Sequence, residues 1–248
     1  MGLSIAMKIN FPLLALAVGA FTIGTTEFSP MGFLPEIAND LSVSIPQAGL
    51  LISAYAVGVM IGAPLMTLWL ARFPKKTALI LLMAIFTIGN VLATVAPDYM
   101  SLLGARLITS LNHGAFFGLG SVVAASVVPK DKQASAVAMI FMGLTIANIG
   151  GVPLATWLSQ NTSWRMAFAA ISILGIMTML ALWKALPQDH DVVKPNVAKE
   201  LRVLTRAPVV LALLTTVMSA GAMFALYTYI APSLHVFMQA SPQTITLM

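Results

Sequence analysis

The 248-residue chain is 59% hydrophobic and 8% charged, with a formal charge of +5 and a mean hydropathy of +0.93. Soluble domains carry about 25% charged residues, so a water-facing globule is excluded. The absence of Cys also excludes disulfides and thiolate metal sites.

Seven apolar runs follow one another, at 11–31, 47–70, 77–96, 100–124, 135–158, 166–186 and 208–231. Each is long enough to cross a hydrocarbon core of ~30 Å as a helix. The expected fold class is an all-α polytopic membrane protein. The basic balance does not point to nucleic acid, because Lys and Arg sit in short gaps between runs, as orientation signals do.

The first run carries GTTEFSPMGFLPEI, which places Glu27 inside the span. No signal-cleavage pattern interrupts it. An ionisable group costs about 2.5–3.5 kcal/mol at the centre of a span and by default suggests function. Glu27 falls roughly 6–8 Å below the outer boundary at a rise of about 1.5 Å per residue. Two readings stand: a protonatable carboxylate in a polar cavity, or an interfacial Glu that snorkels outward.

The second run contains Gly58 and Gly62, whose spacing of four lets helix backbones approach closely. After it, ARFPKKT brings Arg72, Lys75 and Lys76. The fourth run sets Arg106, Thr109, Ser110, His113 and Phe117 at helical spacings, one polar stripe that must avoid lipid. At roughly 12 Å depth, Arg106 is placed to pair with Glu27, directly or through water, or to tie to a helix-end carbonyl. His113 is either part of a proton path or a neutral packing histidine; no relay partner is evident for it. Gly114 and Gly118 repeat the small-residue spacing in the same run.

PKDKQ, with Lys130 and Lys132, precedes the fifth run, where Gly143, Ala147 and Gly151 again mark close packing. NIGGVPLAT puts Pro153 inside that run, removing a backbone hydrogen bond and bending the helix. The bend reads as a hinge or as plain geometry. Asn148 beside it either lines a cavity or bridges helices. After the sixth run, the polar segment 187–206 reads as a linker separating residues 1–186 from 207–248. Eleven basic residues, from Lys8 to Arg206, lie on one side, which by the positive-inside rule is the cytoplasm, along with the N-terminus.

Residues 14–49 lay weakly over residues 211–245, matching Gly24 to Gly221, Pro35 to Pro232 and Glu27 to Phe224. The chain then enters a second copy of its first half. Its ending, SPQTITLM, reads as the opening of an eighth span, so the chain reads as a fragment.

These stretches, with LISAYAVGVMIGAPLMTL, ARLITSLNHGAFFGLGSVVAASVVP and SWRMAF, resemble the major facilitator superfamily, specifically its drug:proton antiporter branch of twelve-span exporters. The resemblance implies the N-terminal six-helix half plus the first helix of the second half, and alternating access by rocking of the halves. It implies that Glu27 is the proton-coupling acid, with Arg106 as its partner. Tyr55, His113, Asn148 and Tyr227 are expected in the substrate cavity, Arg72, Lys75 and Lys76 in the gate loop, and Pro153 at a hinge. TLWLARFPKK departs from the family's G-x-L-A-D-R-x-G-R-R. Thr67, Ala71 and Pro74 stand where Gly, Asp and Gly are expected, which puts the Asp-centred relay of the gate in question. Ser110 likewise replaces the glycine of R-x-x-x-G.

The expected function is proton-coupled efflux of a small organic solute (drug, sugar or metabolite) across the bacterial inner membrane, with the lipid bilayer and protons as partners. No cofactor and no metal are implied. The competing readings are a truncated, non-transporting remnant that lacks its C-terminal half, and a proton-independent facilitative transporter. An intramembrane enzyme finds little support, since no paired carboxylates, metal-spaced His or nucleophile–base pair occur.

Overall fold

The computed structural model describes residues 10–188, 205–239 and 241. Lys8, most of the 187–206 linker and the expected opening of an eighth span at 242–248 lie outside the described residues. Every element is helical among the described residues. Among the described residues, seven helical stretches are long and apolar enough to cross a membrane. They are α1 (Phe11–Gly32), α3 (Ile45–Leu70), α4 (Lys75–Thr94), the pair α5 (Tyr99–Ser110) and α6 (His113–Ser126), the pair α7 (Gln133–Ile146) and α8 (Val152–Asn161), α9 (Trp164–Ala185) and α10 (Ala207–Met238). A short helix, α2 (Leu34–Asp40), follows α1 outside the spans.

The starts of these helices are written in side chains. Asn10, Ser44, Asp98 and Ser163 each accept a hydrogen bond from the backbone N–H three residues on, closing an otherwise orphan donor. Spans alternate in direction, so Arg72, Lys75, Lys76, Lys130, Lys132 and Lys184 gather at one end of the bundle, the basic end. Glu36, Asp40 and Asp98 gather at the other with Arg165.

Three spans differ in detail from the expectation. The fourth breaks between Ser110 and His113, where the Leu111 N–H bonds to Ile108 three residues back. In the fifth, Ala147–Gly151 form a π-helical turn in which the Val152 N–H reaches the Ala147 carbonyl. Pro153, in the first turn of α8, has no N–H to give and its ring crowds the turn before it; the widened turn absorbs that misfit. The seventh span runs through Pro232 to Met238, beyond the expected end at 231, and stops at Gln239 in the left-handed conformation (φ 51°).

The first span, α1, is the axis. It packs against α7, α8, α9, α6 and α10, and its Thr22, Thr25, Thr26 and Ser29 are all buried. Close approach depends on glycine: a Cβ at Gly143 would collide with the Ala17 carbonyl oxygen, and one at Gly58 with the Ser110 hydroxyl. Gly118 does not share this role. A Cβ there would meet nothing within 4 Å, so its spacing from Gly114 does not mark a contact.

At the acidic end, Asp40 accepts from Arg165 Nη1 at 2.6 Å and from Trp164 Nε1 at 3.0 Å, while Arg165 Nη2 donates to the Ala96 carbonyl at 2.9 Å. This clamp joins α2, the end of α4 and the start of α9. Its hydrogen bonds from Arg165 and then Trp164 hold the Asp40 carboxyl below the usual carboxylate range. The contribution is therefore present above the ordinary carboxylate value and lost as pH falls through the lowered one. Asp40→Asn should cost no more than about 1 kcal/mol near neutral pH, since the pair is partly exposed. Melting curves in detergent should show that deficit shrink at acid pH, where the wild-type carboxyl is protonated too.

Candidate functional site

Pro30 sits inside α1 and, being proline, leaves the carbonyl of Thr26 without its i+4 donor. Arg106 fills that vacancy. Its Nη1 donates to the Thr26 carbonyl at 3.0 Å and lies 3.5 Å from the Thr26 hydroxyl. The Thr26 hydroxyl donates onward to Asn90 Oδ1 at 2.7 Å, and Asn90 Nδ2 to the Phe86 carbonyl at 2.9 Å. First, third and fourth spans are thus tied by one buried polar chain. Of the two sequence-based options for Arg106, the carbonyl tie is the one with a direct contact.

Arg106 is 1% exposed, which a cation tolerates only with compensation. Part comes from Tyr55, whose ring centroid lies 4.2 Å from the guanidinium carbon, and part from Phe168 at 5.9 Å. Among the described residues, its Nε and Nη2 nitrogens have no hydrogen-bond partner. Glu27, one residue after Thr26, is not within ion-pair distance of Arg106, though the two charges act on each other through space.

Glu27 instead has His113 beside it. His113 Nε2 is 3.8 Å from Glu27 Oε2, both side chains being 14% exposed. The other ring nitrogen, Nδ1, is 3.2 Å from the Tyr55 hydroxyl. His113 therefore has the partners on both faces that its sequence context did not reveal. Glu27, Tyr55, Arg106 and His113 form one cluster, supplied by α1, α3, α5 and α6. The fourth-span stripe points inward as expected, with Thr109 and Ser110 buried and Phe117 stacked on Phe141 at 5.4 Å. The break at Leu111–Asn112 lets α5 present Arg106 while α6 starts at His113.

Asn148, Pro153 and Tyr227 lie in a second place, a cavity of about 220 Å³ lined also by Phe28, Met31 and Thr156. Here α1, the π turn, α8 and α10 meet. Asn148 spends its Nδ2 on the Leu144 carbonyl at 3.1 Å, which leaves its oxygen as an acceptor. Tyr227 is 47% exposed. Among the described residues, the cavity wall contains no charged side chain. Glu27 and Phe28 are consecutive, so α1 is shared between cluster and cavity, and Phe28 stacks on Phe224 of α10 at 5.5 Å.

The gate-loop residues stand apart from both, at the basic end. Arg72 Nε donates to the Trp69 carbonyl and its guanidinium lies over the Trp69 and Phe73 rings. Lys76 Nζ donates to the Leu186 carbonyl at 2.7 Å. Arg72 and Lys76 serve carbonyls and rings in these contacts, in keeping with Ala71 standing where the pattern has its acid.

The sequence profile described as Major Facilitator Superfamily matches residues 16–248. The chain is 65% identical over 242 residues to the inner membrane transport protein YdhP of Escherichia coli (strain K12), covering 98% of this chain and 62% of that protein. It is 30% identical over 233 residues to a probable sugar efflux transporter of Helicobacter pylori (strain P12), covering 94% and 59%. The fold matches the crystal structure of a bacterial homologue of the human lysosomal transporter Spinster, in its inward-facing, unoccupied conformation. There the TM-score is 0.78 at 18% identity, over 96% of this chain and 57% of that one. The chain thus spans about three fifths of the length of the curated relatives it matches.

Arg106→Leu should be destabilising, by about 1–3 kcal/mol, because it strands the buried Thr26 carbonyl and removes the positive charge that acts on Glu27. Adding Glu27→Gln should recover about 1 kcal/mol or more of that loss. Melting curves of the four proteins in detergent measure it; strictly additive losses would mean that the two charges do not act on each other.

Proposed function

Because the chain belongs to the major facilitator superfamily, we propose that it is the front portion of a secondary transporter. That transporter exports a small organic solute across the bacterial inner membrane in exchange for protons. The observation that carries this reading is Glu27, a carboxylate within a membrane-crossing helix that has His113 at 3.8 Å and the charge of Arg106 nearby. Such a group is costly in a membrane unless its charge is used. Glu27 is the proton acceptor, Arg106 its electrostatic partner, and His113 with the Tyr55 hydroxyl the donor–acceptor pair through which a proton can be passed. Proton transfer needs groups within hydrogen-bond reach; His113 Nδ1 and the Tyr55 hydroxyl at 3.2 Å meet that, and closing Glu27 on His113 Nε2 from 3.8 Å takes a shift of about 1 Å.

The solute occupies the space that α10 closes against α1 and α8, with Asn148, Thr156 and Tyr227 as neutral hydrogen-bonding groups and Phe28 as an apolar wall. A wall without charge suits an uncharged polar solute, and the relative named for sugar efflux supports export of one. The basic loops face the cytoplasm, so the N-terminus starts there and α1 carries Glu27 toward the outer face. The polar segment 187–206 links residues 1–186 to the second half, which begins with 207–248. Pro153 with its π turn is the hinge of the fifth span. Transport is the activity of a protein of the relatives' full length, and catalysis of a covalent reaction is not part of the reading.

Glu27→Gln in the full-length protein should lower proton-driven efflux at least about a hundredfold, the low end of the usual scale for losing a positioned acid–base group. Solute binding, measured by equilibrium titration of purified protein, should be retained within about threefold. Unchanged proton-driven efflux would overturn the assignment, and efflux indifferent to an uncoupler would favour facilitated transport.

A further inference from the structure

The first span is softest where it carries its acid. Thr22, Thr25 and Ser29 donate their hydroxyls to the carbonyls one turn back, those of Val18, Phe21 and Thr25. Back-bonding of this kind loosens and bends helices. Pro30 then removes one rung outright, the one that would have held the Thr26 carbonyl. In its place stands Arg106 Nη1 at 3.0 Å, a donor from another span. That donor has two further N–H groups, Nε and Nη2, buried without a partner. The residue after Thr26 is Glu27. A cation with spare donors therefore holds a carbonyl on the residue before an acidic side chain on which its charge acts, both on one weakened helix.

We propose that Thr26 and Pro30 are positioning residues that convert the charge of Glu27 into the shape of α1. This rests on the reading of Glu27 as the proton-accepting group. With Glu27 protonated, Arg106 stays on the Thr26 carbonyl and α1 is held across the missing rung. When Glu27 releases its proton to water, its carboxylate outcompetes a neutral carbonyl, because hydrogen bonds to an ionised acceptor are roughly twice as strong. Arg106 turns its spare N–H groups to Glu27, the Thr26 carbonyl loses its donor, and α1 kinks at Pro30. Protonation reverses the exchange. The other groups facing Glu27 are His113 from α6 and Tyr55 from α3; the remaining described spans present no charged side chain to it. Two discrete partners for one guanidinium make the contact bistable, which is what converts a local charge change into a change of shape.

The chain lacks Cys, so cysteines introduced at Asn39 and Val95, both exposed, take spin labels without background. The distance between them, read by pulsed electron resonance on the full chain in lipid nanodiscs, reports the sideways swing of the chain beyond Pro30 relative to the end of α4. Wild type should shift by about 3 Å or more between about pH 5 and pH 9, as a kink of about 20° acting over the roughly 13 Å from Pro30 to Asn39 would give. Glu27→Gln should hold the acid distance at every pH. Pro30→Ala returns an N–H to the Thr26 carbonyl, and should abolish the shift although Glu27 is still present. Pro30→Gly, which restores the same N–H without stiffening the helix, should abolish it too. A shift that survives Pro30→Ala, or survives Pro30→Gly alone, overturns this inference and leaves Glu27's assignment standing. A wild-type distance indifferent to pH overturns it as well. A shift that survives Glu27→Gln overturns the assignment itself.

Discussion

One missing hydrogen atom organises the interior of this bundle. Pro30 has no N–H, so the Thr26 carbonyl in the buried stretch of α1 must find a donor elsewhere, and it finds Arg106. A buried carbonyl left unpaired costs on the order of 1–3 kcal/mol, and a buried guanidinium without partners costs more. Each group therefore solves the other's problem. The solution fixes α5 against α1, aligns Tyr55 under the guanidinium and, through the Thr26 hydroxyl and Asn90, draws in α4. Glu27 and His113 then take the places next to that junction.

Because α1 is central, its two sides can be given different chemistry. Toward α3, α5 and α6 it presents Glu27 to a cluster of titratable groups. Toward the π turn, α8 and α10 it presents Phe28 and Met31 to an uncharged cavity. Glu27 and Phe28 are neighbours on one helix, so a motion of α1 at Pro30 moves both. In the proposed switch, charge state and cavity shape are joined by backbone rather than by a shared ligand.

Much of this was legible in the sequence. Apolar length alone located seven spans, because a bilayer demands about 20 apolar residues for each crossing. The spacing of Arg106, Thr109, Ser110 and Phe117 correctly turned the fourth-span stripe inward. Glycine spacing was less secure: Gly58 and Gly143 mark real contacts, whereas Gly118 faces open space, since a period of four says nothing about whether a neighbour exists. The break before His113 is not legible in the sequence, and at Pro153 the sequence announces a bend but not that a π turn absorbs it. The partners of His113 come from residues 27 and 55, far away in sequence, so a lone histidine looked isolated. For Arg106, depth and charge leave both Glu27 and a helix-end carbonyl open, and a quieter signal favours a carbonyl. A proline four residues after Thr26 announces a free carbonyl, and a buried arginine is the donor best able to reach it.

The most direct measurement is a solid-state nuclear magnetic resonance distance between arginine Nη labelled with ¹⁵N and threonine carbonyls labelled with ¹³C, in the full chain and in its Arg106→Lys variant. The account predicts a dipolar contact of about 4 Å, set by the N···O distance plus the C=O bond, that is present in the wild type and absent from the variant. Identical dephasing in the two proteins would mean that Arg106 does not hold the Thr26 carbonyl, and the organisation of the site around Pro30 would be wrong.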